Sequence, residues 1–350
     1  MLRKIRFLFF DFIFLGLTLF CIFFSDLVIY GLAQGKGQLR VVMESREVSE
    51  VMNDPAFPDS LKQKLILIQE IKQFAYDSLG LKPSRNYTTV FDQHGKSVLW
   101  TITASEPFRL RPLEWTFPLL GKVSYKGFFD YEKGRKEATE LASQGYDIDF
   151  GGVSGWSTLG WFKDPILSSM LTRDEGHIAD LIIHELTHGT IYLKSSVDFN
   201  ENLANFIGDK GAEQFLRAKY GTTSRGYLEY VHSRADRKLY NEYILKAGAR
   251  LDSLYLSFPP SMNTYEKEIR KMSLIYRIID GVRDLPLYHQ GRYLSYTREA
   301  IVEKNAFFMS FRRYDSKYDE LEEMYVKTCK QDIRAFIRTL LSQHDHPTVQ

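Results

Sequence analysis

Apolar and polar positions alternate along the chain in three regimes. The first is an almost unbroken apolar run, Phe7 to Ser25, interrupted only by Asp11 and preceded by Arg3, Lys4 and Arg6. A cationic flank followed by a greasy segment predicts an export signal or a membrane anchor. The charge-free part, Phe12 to Ser25, has 14 residues, short of the roughly 20 that span a bilayer comfortably. Cleavage after Gly31-Leu32-Ala33 suits a signal, but Leu27-Val28-Ile29-Tyr30 continues the apolar helix and favours an uncleaved anchor. In either case the positive flank stays cytoplasmic and the rest is exported.

The second regime mixes periods. From Asp59 to Leu79, Leu61, Leu65, Ile68, Ile71, Phe74 and Ala75 recur at helical spacing between Pro58 and Gly80, which predicts an amphipathic helix. Tyr87 to Phe91 and Ser97 to Thr103, rich in β-branched and aromatic residues and parted by a short stretch holding His94 and Gly95, predict a hairpin. Further along, Lys122 to Phe129 reads as a strand, Glu132 to Ser143 as a helix and Tyr146 to Phe150 as a strand. The segment Thr172 to Leu193 opens as Thr-Arg-Asp-Glu, a capping box with Thr172 as cap and Glu175 reaching back, then continues as a helix.

The third regime is helical: Arg225 to Leu256, Tyr265 to Val282, Tyr296 to Phe311 and Ser316 to Leu341. The order predicts an α+β protein in which a small mixed N-terminal lobe packs on a mainly helical C-terminal lobe. The expected division is 1–30 as anchor or signal, 31–220 as an α+β catalytic lobe, and 221–350 as a helical lobe.

Composition removes some functions. Apolar and charged fractions of 44% and 26% and a formal charge of +2 over 350 residues are ordinary for a globular protein and provide no field for nucleic acid. The two cysteines, Cys21 in the apolar run and Cys329 near the far end, supply neither a disulfide framework nor a cysteine metal site. Any metal centre must therefore use histidine and carboxylate ligands.

Such ligands lie in the segment HELTH. His184 and His188, four apart on a helix, point the same way one turn above the other, while Ile178, Ile182 and Leu186 form a separate apolar stripe. The two imidazoles can share a zinc ion, and Glu185 is placed to take a proton from a metal-activated water. A histidine six residues after His188 is absent, since position 194 is Lys194, which excludes the HExxHxxGxxH class. Glu201, at the start of a second helix after a short Lys194 to Val197 connection, is the expected third ligand; two antiparallel helices would then carry the site. Asp198 is an alternative, and Asp198 with Glu201 also reads as a capping box.

Asn205, one turn beyond Glu201, is placed to hydrogen-bond a ligand imidazole and fix its tautomer. A polar residue on a solvated face is the competing reading. His177 lies two turns from His184 and reads as a solvated first-turn residue; His94 reads as a turn residue, and His232, His289, His344 and His346 as surface histidines.

At this point the sequence resembles a bacterial family of proteins described as zinc aminopeptidases, many of them envelope lipoproteins. The resemblance covers most of the chain through Tyr30 to Leu39 (YGLAQGKGQL), Trp115 to Asp130 (WTFPLLGKVSYKGFFD), Gly145 to Leu171 (GYDIDFGGVSGWSTLGWFKDPILSSML), HELTH, and Phe199 to Phe206 (FNENLANF). It implies metal-ligand roles for His184, His188 and Glu201, the base role for Glu185, and an aminopeptidase label that spacing and composition do not provide. A block near Asn305 to Tyr314 also belongs to the resemblance, and Tyr314 could donate to a developing oxyanion. The chain has 21 tyrosines, so an ordinary core or surface tyrosine competes with that role. Leu19-Phe20 before Cys21 departs from the lipoprotein pattern. The stretch Gly151 to Trp161 is expected either to border the site, where an extended peptide adds as a strand, or to serve as a packing loop with Trp156 and Trp161 in the core.

The expected activity is zinc-dependent hydrolysis of peptide bonds at the cell envelope, with the chain anchored by its N-terminus in the cytoplasmic membrane and the catalytic part outside. An endopeptidase is the rival within the enzyme class. A catalytically silent zinc-stabilised scaffold is the rival outside it, although structural zinc sites are normally closed by four ligands and have no use for Glu185.

Overall fold

The structure, a computed structural model, describes residues 23–117, 121–153, 163–193, 197–311 and 318–345, apart from the side chains of 197, 198, 319 and 343–345. The chain is an α+β protein, mainly helical with small sheets. Helices α1 (Ser25–Met43), α2 (Val48–Asn53) and α3 (Asp59–Phe74) come first, and a single π-helical turn, Ala75–Leu79, extends α3. Strand β1 (Arg46–Glu47) pairs antiparallel with β2 (Thr89–Phe91), and β2 pairs parallel with β8 (Ile166–Leu167). In a second sheet β3 (Trp100–Ser105) lies between β6 (Lys126–Phe128) and β7 (Asp147–Gly152), antiparallel to both, with Trp100 opposite Phe128 and Gly152. Strands β4 (Trp115–Phe117) and β5 (Gly121–Val123) form a third pair, and α4 (Tyr131–Ser143) precedes β7.

Helices make up the rest: α5 (Glu175–Thr190), α6 (Val197–Tyr220), α7 (Arg225–Leu256), α8 (Thr264–Gly281), α9 (Gln290–Thr297), α10 (Ala300–Glu303), α11 (Asn305–Phe311), α12 (Tyr318–Glu323) and α13 (Ile333–Asp345). Among the described residues, three buried apolar clusters organise them. The largest wraps α5 and α6 with α3, β2 and β8, and the last helices close it: Phe206 of α6 meets the rings of Tyr318 and Phe336 at 5.2 Å each. The second joins the later part of α7 to α8–α11, and the third lies between β3, β6, β7 and α4.

The amphipathic helix at 59–79, the helix at 132–143, the strand near 146–150 and the helix at 225–256 form as expected. The expected hairpin does not: β2 and β3 belong to different sheets. Their linker is drawn away by Gln93, whose backbone amide donates to Ser168 Oγ at 2.9 Å and whose side chain accepts from the Ser169 amide at 2.8 Å. The strand expected at 122–129 is two short strands in two sheets. The long C-terminal helices are broken where Lys304 (φ 51°), Lys330 (φ 52°) and Gln331 (φ 62°) adopt left-handed backbone, a conformation that a helix cannot continue through. Among the described residues no helix is long and apolar enough to cross a membrane; the apolar run before Ile22 lies outside them.

Candidate metal centre

The motif helix starts later than its sequence suggests. Asp174, rather than Thr172, is the N-cap: its Oδ1 accepts from the His177 amide at 3.0 Å, while the Thr172 hydroxyl donates to the Ser169 carbonyl and closes a preceding 3-10 turn. From there Ile178, Ile182 and Leu186 go to the core, none more than 2% exposed. The helix ends at Thr190 because Ile191 turns to extended backbone.

His184 and His188 leave this helix on the side facing α6. Their Nε2 atoms are 3.1 Å apart, and Glu201 Oε1 and Oε2 lie 3.4 Å from His188 Nε2 and 3.7 Å from His184 Nε2. These three side chains form the group of ligating atoms able to hold a metal ion among the described residues. The spacings fit such an ion: bonds of about 2.0–2.1 Å to a tetrahedral centre put ligand atoms roughly 3.3 Å apart. Burial, joined at His184 by the His188 charge, pushes the two imidazoles down to about 3 and about 4. Both are therefore held in the neutral form that donates a lone pair. His188 Nδ1 is buried with no partner among the described residues.

Helix packing sets these distances. Along α6 from Glu201 to Gly211 the neighbours on α5 run from His188 back to Asp180 and Ile183, so the helices are antiparallel. Gly208 allows the approach. A Cβ there would fall 2.6 Å from Asp180 Oδ1, 2.9 Å from the Asp180 carbonyl and 3.2 Å from His184 Cβ. Near the connection, Asn200, 2% exposed, exchanges two hydrogen bonds with the backbone of Leu193, which fixes the start of α6 one residue before Glu201.

Asn205 hydrogen-bonds His184 through its side chain. It also lines a groove of about 670 Å³ between α6 and α7, with Asp209, Arg234, Arg237 and Tyr318. Burial, then Asp164 and Glu201, raise the Glu185 carboxyl to about 8. Behind it Tyr87 is fully buried, its hydroxyl without a partner among the described residues and its backbone amide donating to the Asp164 carbonyl at 2.7 Å.

Other expected positions fall elsewhere. Tyr314, Trp156 and Trp161 lie outside the described residues, as does the Asp198 side chain. His177 is half-buried and held by partners rather than simply solvated. Its Nδ1 is 2.5 Å from Asp174 Oδ2 and its Nε2 is 3.1 Å from Ser233 Oγ, so it bridges α5 to α7. His289 likewise pairs with Asp236 and Glu229. Sequence reasoning missed Asn200 and Gly208. A lone glycine in a helical pattern is itself a signal of close packing, but Asn200 has no such mark.

A helical α+β scaffold with two histidines and a glutamate converging across an antiparallel helix pair defines a candidate metalloprotein. Residues 29–350 match the family described as "Putative aminopeptidase", and the chain belongs to that family. No curated protein and no solved structure matches it.

Proposed function

We propose that the chain is a zinc-dependent peptidase of the aminopeptidase type. The observation that carries this reading is the convergence of His184, His188 and Glu201 within 4.8 Å, with Glu185 next to His184 in the chain. When bound, a zinc ion would acidify its water and polarise a substrate carbonyl. His184 and His188 would hold the ion through their neutral imidazoles and Glu201 through its carboxylate. Asn205 orients His184, which keeps the imidazole from rotating away from its partner. Glu185 takes a proton from the attacking water and passes it to the leaving amine; burial raises its carboxyl, and the positive charge of a bound ion would draw it back toward the ionised form that a base requires. Exopeptidase action rests on the family name alone.

The decisive experiment is Glu185→Gln, which keeps size and metal ligands. Zinc content should persist, while hydrolysis falls by roughly a hundredfold to ten-thousandfold. Cleavage by wild type restricted to free N-termini supports an aminopeptidase, and cleavage of N-blocked peptides an endopeptidase. Equal hydrolysis by both proteins would overturn the role of Glu185.

A location at the cell envelope follows from the same sequence logic. The basic flank and apolar run would hold the chain in the cytoplasmic membrane with residues beyond about 35 outside.

A further inference from the structure

Helix α1 has two unlike faces. On one, Tyr30, Gln34, Gly37 and Val41 meet the body: the Tyr30 hydroxyl and Gln34 amide both donate to the Gly127 carbonyl, at 2.8 and 2.9 Å. A Cβ at Gly37 would fall 2.1 Å from the Phe129 ring, so only glycine lets the helix sit this close. On the opposite face Ile29, Leu32, Leu39 and Met43 are 57%, 69%, 51% and 80% exposed. Their spacing, with Lys36 in the gap, keeps all four on one stripe. Single exposed apolar residues are ordinary, but a continuous stripe of them marks a surface that something covers.

We infer that this outward stripe of α1 rests on the surface of a lipid bilayer. The chain leading into it names the occupant. The apolar run that begins at Phe7 ends in Phe23 and Phe24, themselves 77% and 51% exposed, immediately before α1. A bilayer that takes up this run therefore also meets the stripe. Phe24 has non-helical backbone (φ −117°, ψ 32°), so α1 need not continue the axis of the segment before it and is free to lie flat. From Ile29 to Met43 the stripe extends about 21 Å at 1.5 Å per residue, and because only this face is apolar and exposed while the other is fastened to the body, it suits an interfacial rather than a spanning helix. Lys36 on the stripe and Arg40 beside it can bury their stems and keep their charges among the headgroups. A second copy of the chain fits less well, because four side chains supply far less than the ~800 Å² per partner of a standard stable interface. Because Tyr30 and Gln34 fasten α1 to the sheet, lipid contact through this stripe would fix the attitude of the whole body on the membrane.

The test uses the full chain reconstituted in phosphatidylcholine–phosphatidylglycerol bilayers, with Cys21 and Cys329 replaced by serine. An environment-sensitive fluorophore is attached at Leu32→Cys, at Leu39→Cys, or at Leu256→Cys, a position at the end of α7 that is 89% exposed. With the stripe at the acyl boundary, brominated lipid should quench the labels at 32 and 39 by roughly half and leave that at 256 unchanged. Equal quenching at all three positions, or none at 32 and 39, overturns the inference. A disulfide-linked dimer formed by the unlabelled Leu32→Cys variant under a mild oxidant, with no lipid quenching of its labelled form, overturns it in favour of a second copy. None of these readouts depends on peptidase activity.

Discussion

The side-chain amide of Asn200 pairs with the backbone of Leu193 as a second strand would: Leu193 N donates to Oδ1 at 2.9 Å, and Nδ2 donates to the Leu193 carbonyl at 2.8 Å. This clamp sits where the two ligand-bearing helices are joined. Asn200→Ala removes two hydrogen bonds and frees the start of α6, at a cost of about 1–3 kcal/mol. Zinc affinity should fall roughly 10- to 100-fold, the usual effect of losing a supporting contact. Urea denaturation and chelator competition measure the two effects. An unchanged affinity alongside lost stability would limit Asn200 to folding.

Metal content tests the ligand set directly. Wild type should carry about one zinc per chain, and His184→Ala or His188→Ala should abolish it. Glu201→Gln should weaken binding through its missing charge. Since an ion that binds only the folded state stabilises it, chelation should lower the melting temperature of wild type and leave His184→Ala unmoved. Full zinc occupancy in both histidine variants would mean the ligands are elsewhere.

Acid stability should bear the mark of Asp174. Burial pushes its carboxyl up, but the His177 imidazole and the His177 backbone amide outweigh burial and hold it at about 2, below the ordinary 3.8. A depressed folded-state value contributes stability above pH 3.8 that is lost as pH falls toward 2. Asp174→Ala should cost about 1 kcal/mol at neutral pH through the lost cap, and its stability should then decline less steeply than that of wild type between pH 4 and pH 2. Denaturant titrations at a series of pH values provide the comparison, and parallel curves would count against this account.

A reporter that is active only after export, fused beyond residue 35, should be active when preceded by residues 1–35 and silent without them. Activity of a cytoplasm-only reporter at the same junction would reverse the proposed topology.

Most of the candidate site was legible because its information is local. His184 and His188 share a face by spacing alone, and Glu201 is placed by a short connection. The cap was misassigned because Thr172 and Asp174 both offer an oxygen to a helix start, and the choice between them depends on the 3-10 turn before it. The β2–β3 hairpin failed for a comparable reason, since Gln93 bonds to Ser168 and Ser169, far away in sequence. Likewise, nothing near Lys304 marks a break: its reversed backbone falls beside Asn305, whose amide donates to Asp147 and whose side chain accepts from Tyr255. Periodicity reports which face of a segment is buried, and it has no term for a single side chain that fastens two distant segments.

Phe206, packed between Tyr318 and Phe336, gives the order of synthesis a meaning. The wall behind the Glu201 helix comes from helices much later in the chain, and a protein emerging N-terminus first presents HELTH before α12 and α13 arrive. Until then the helix pair lacks one of its supports, and the ligand spacing relies on the contacts at Gly208 and the Asn200 clamp. The candidate metal centre would thus gain its full support only after α13 has been made, later than its own ligands.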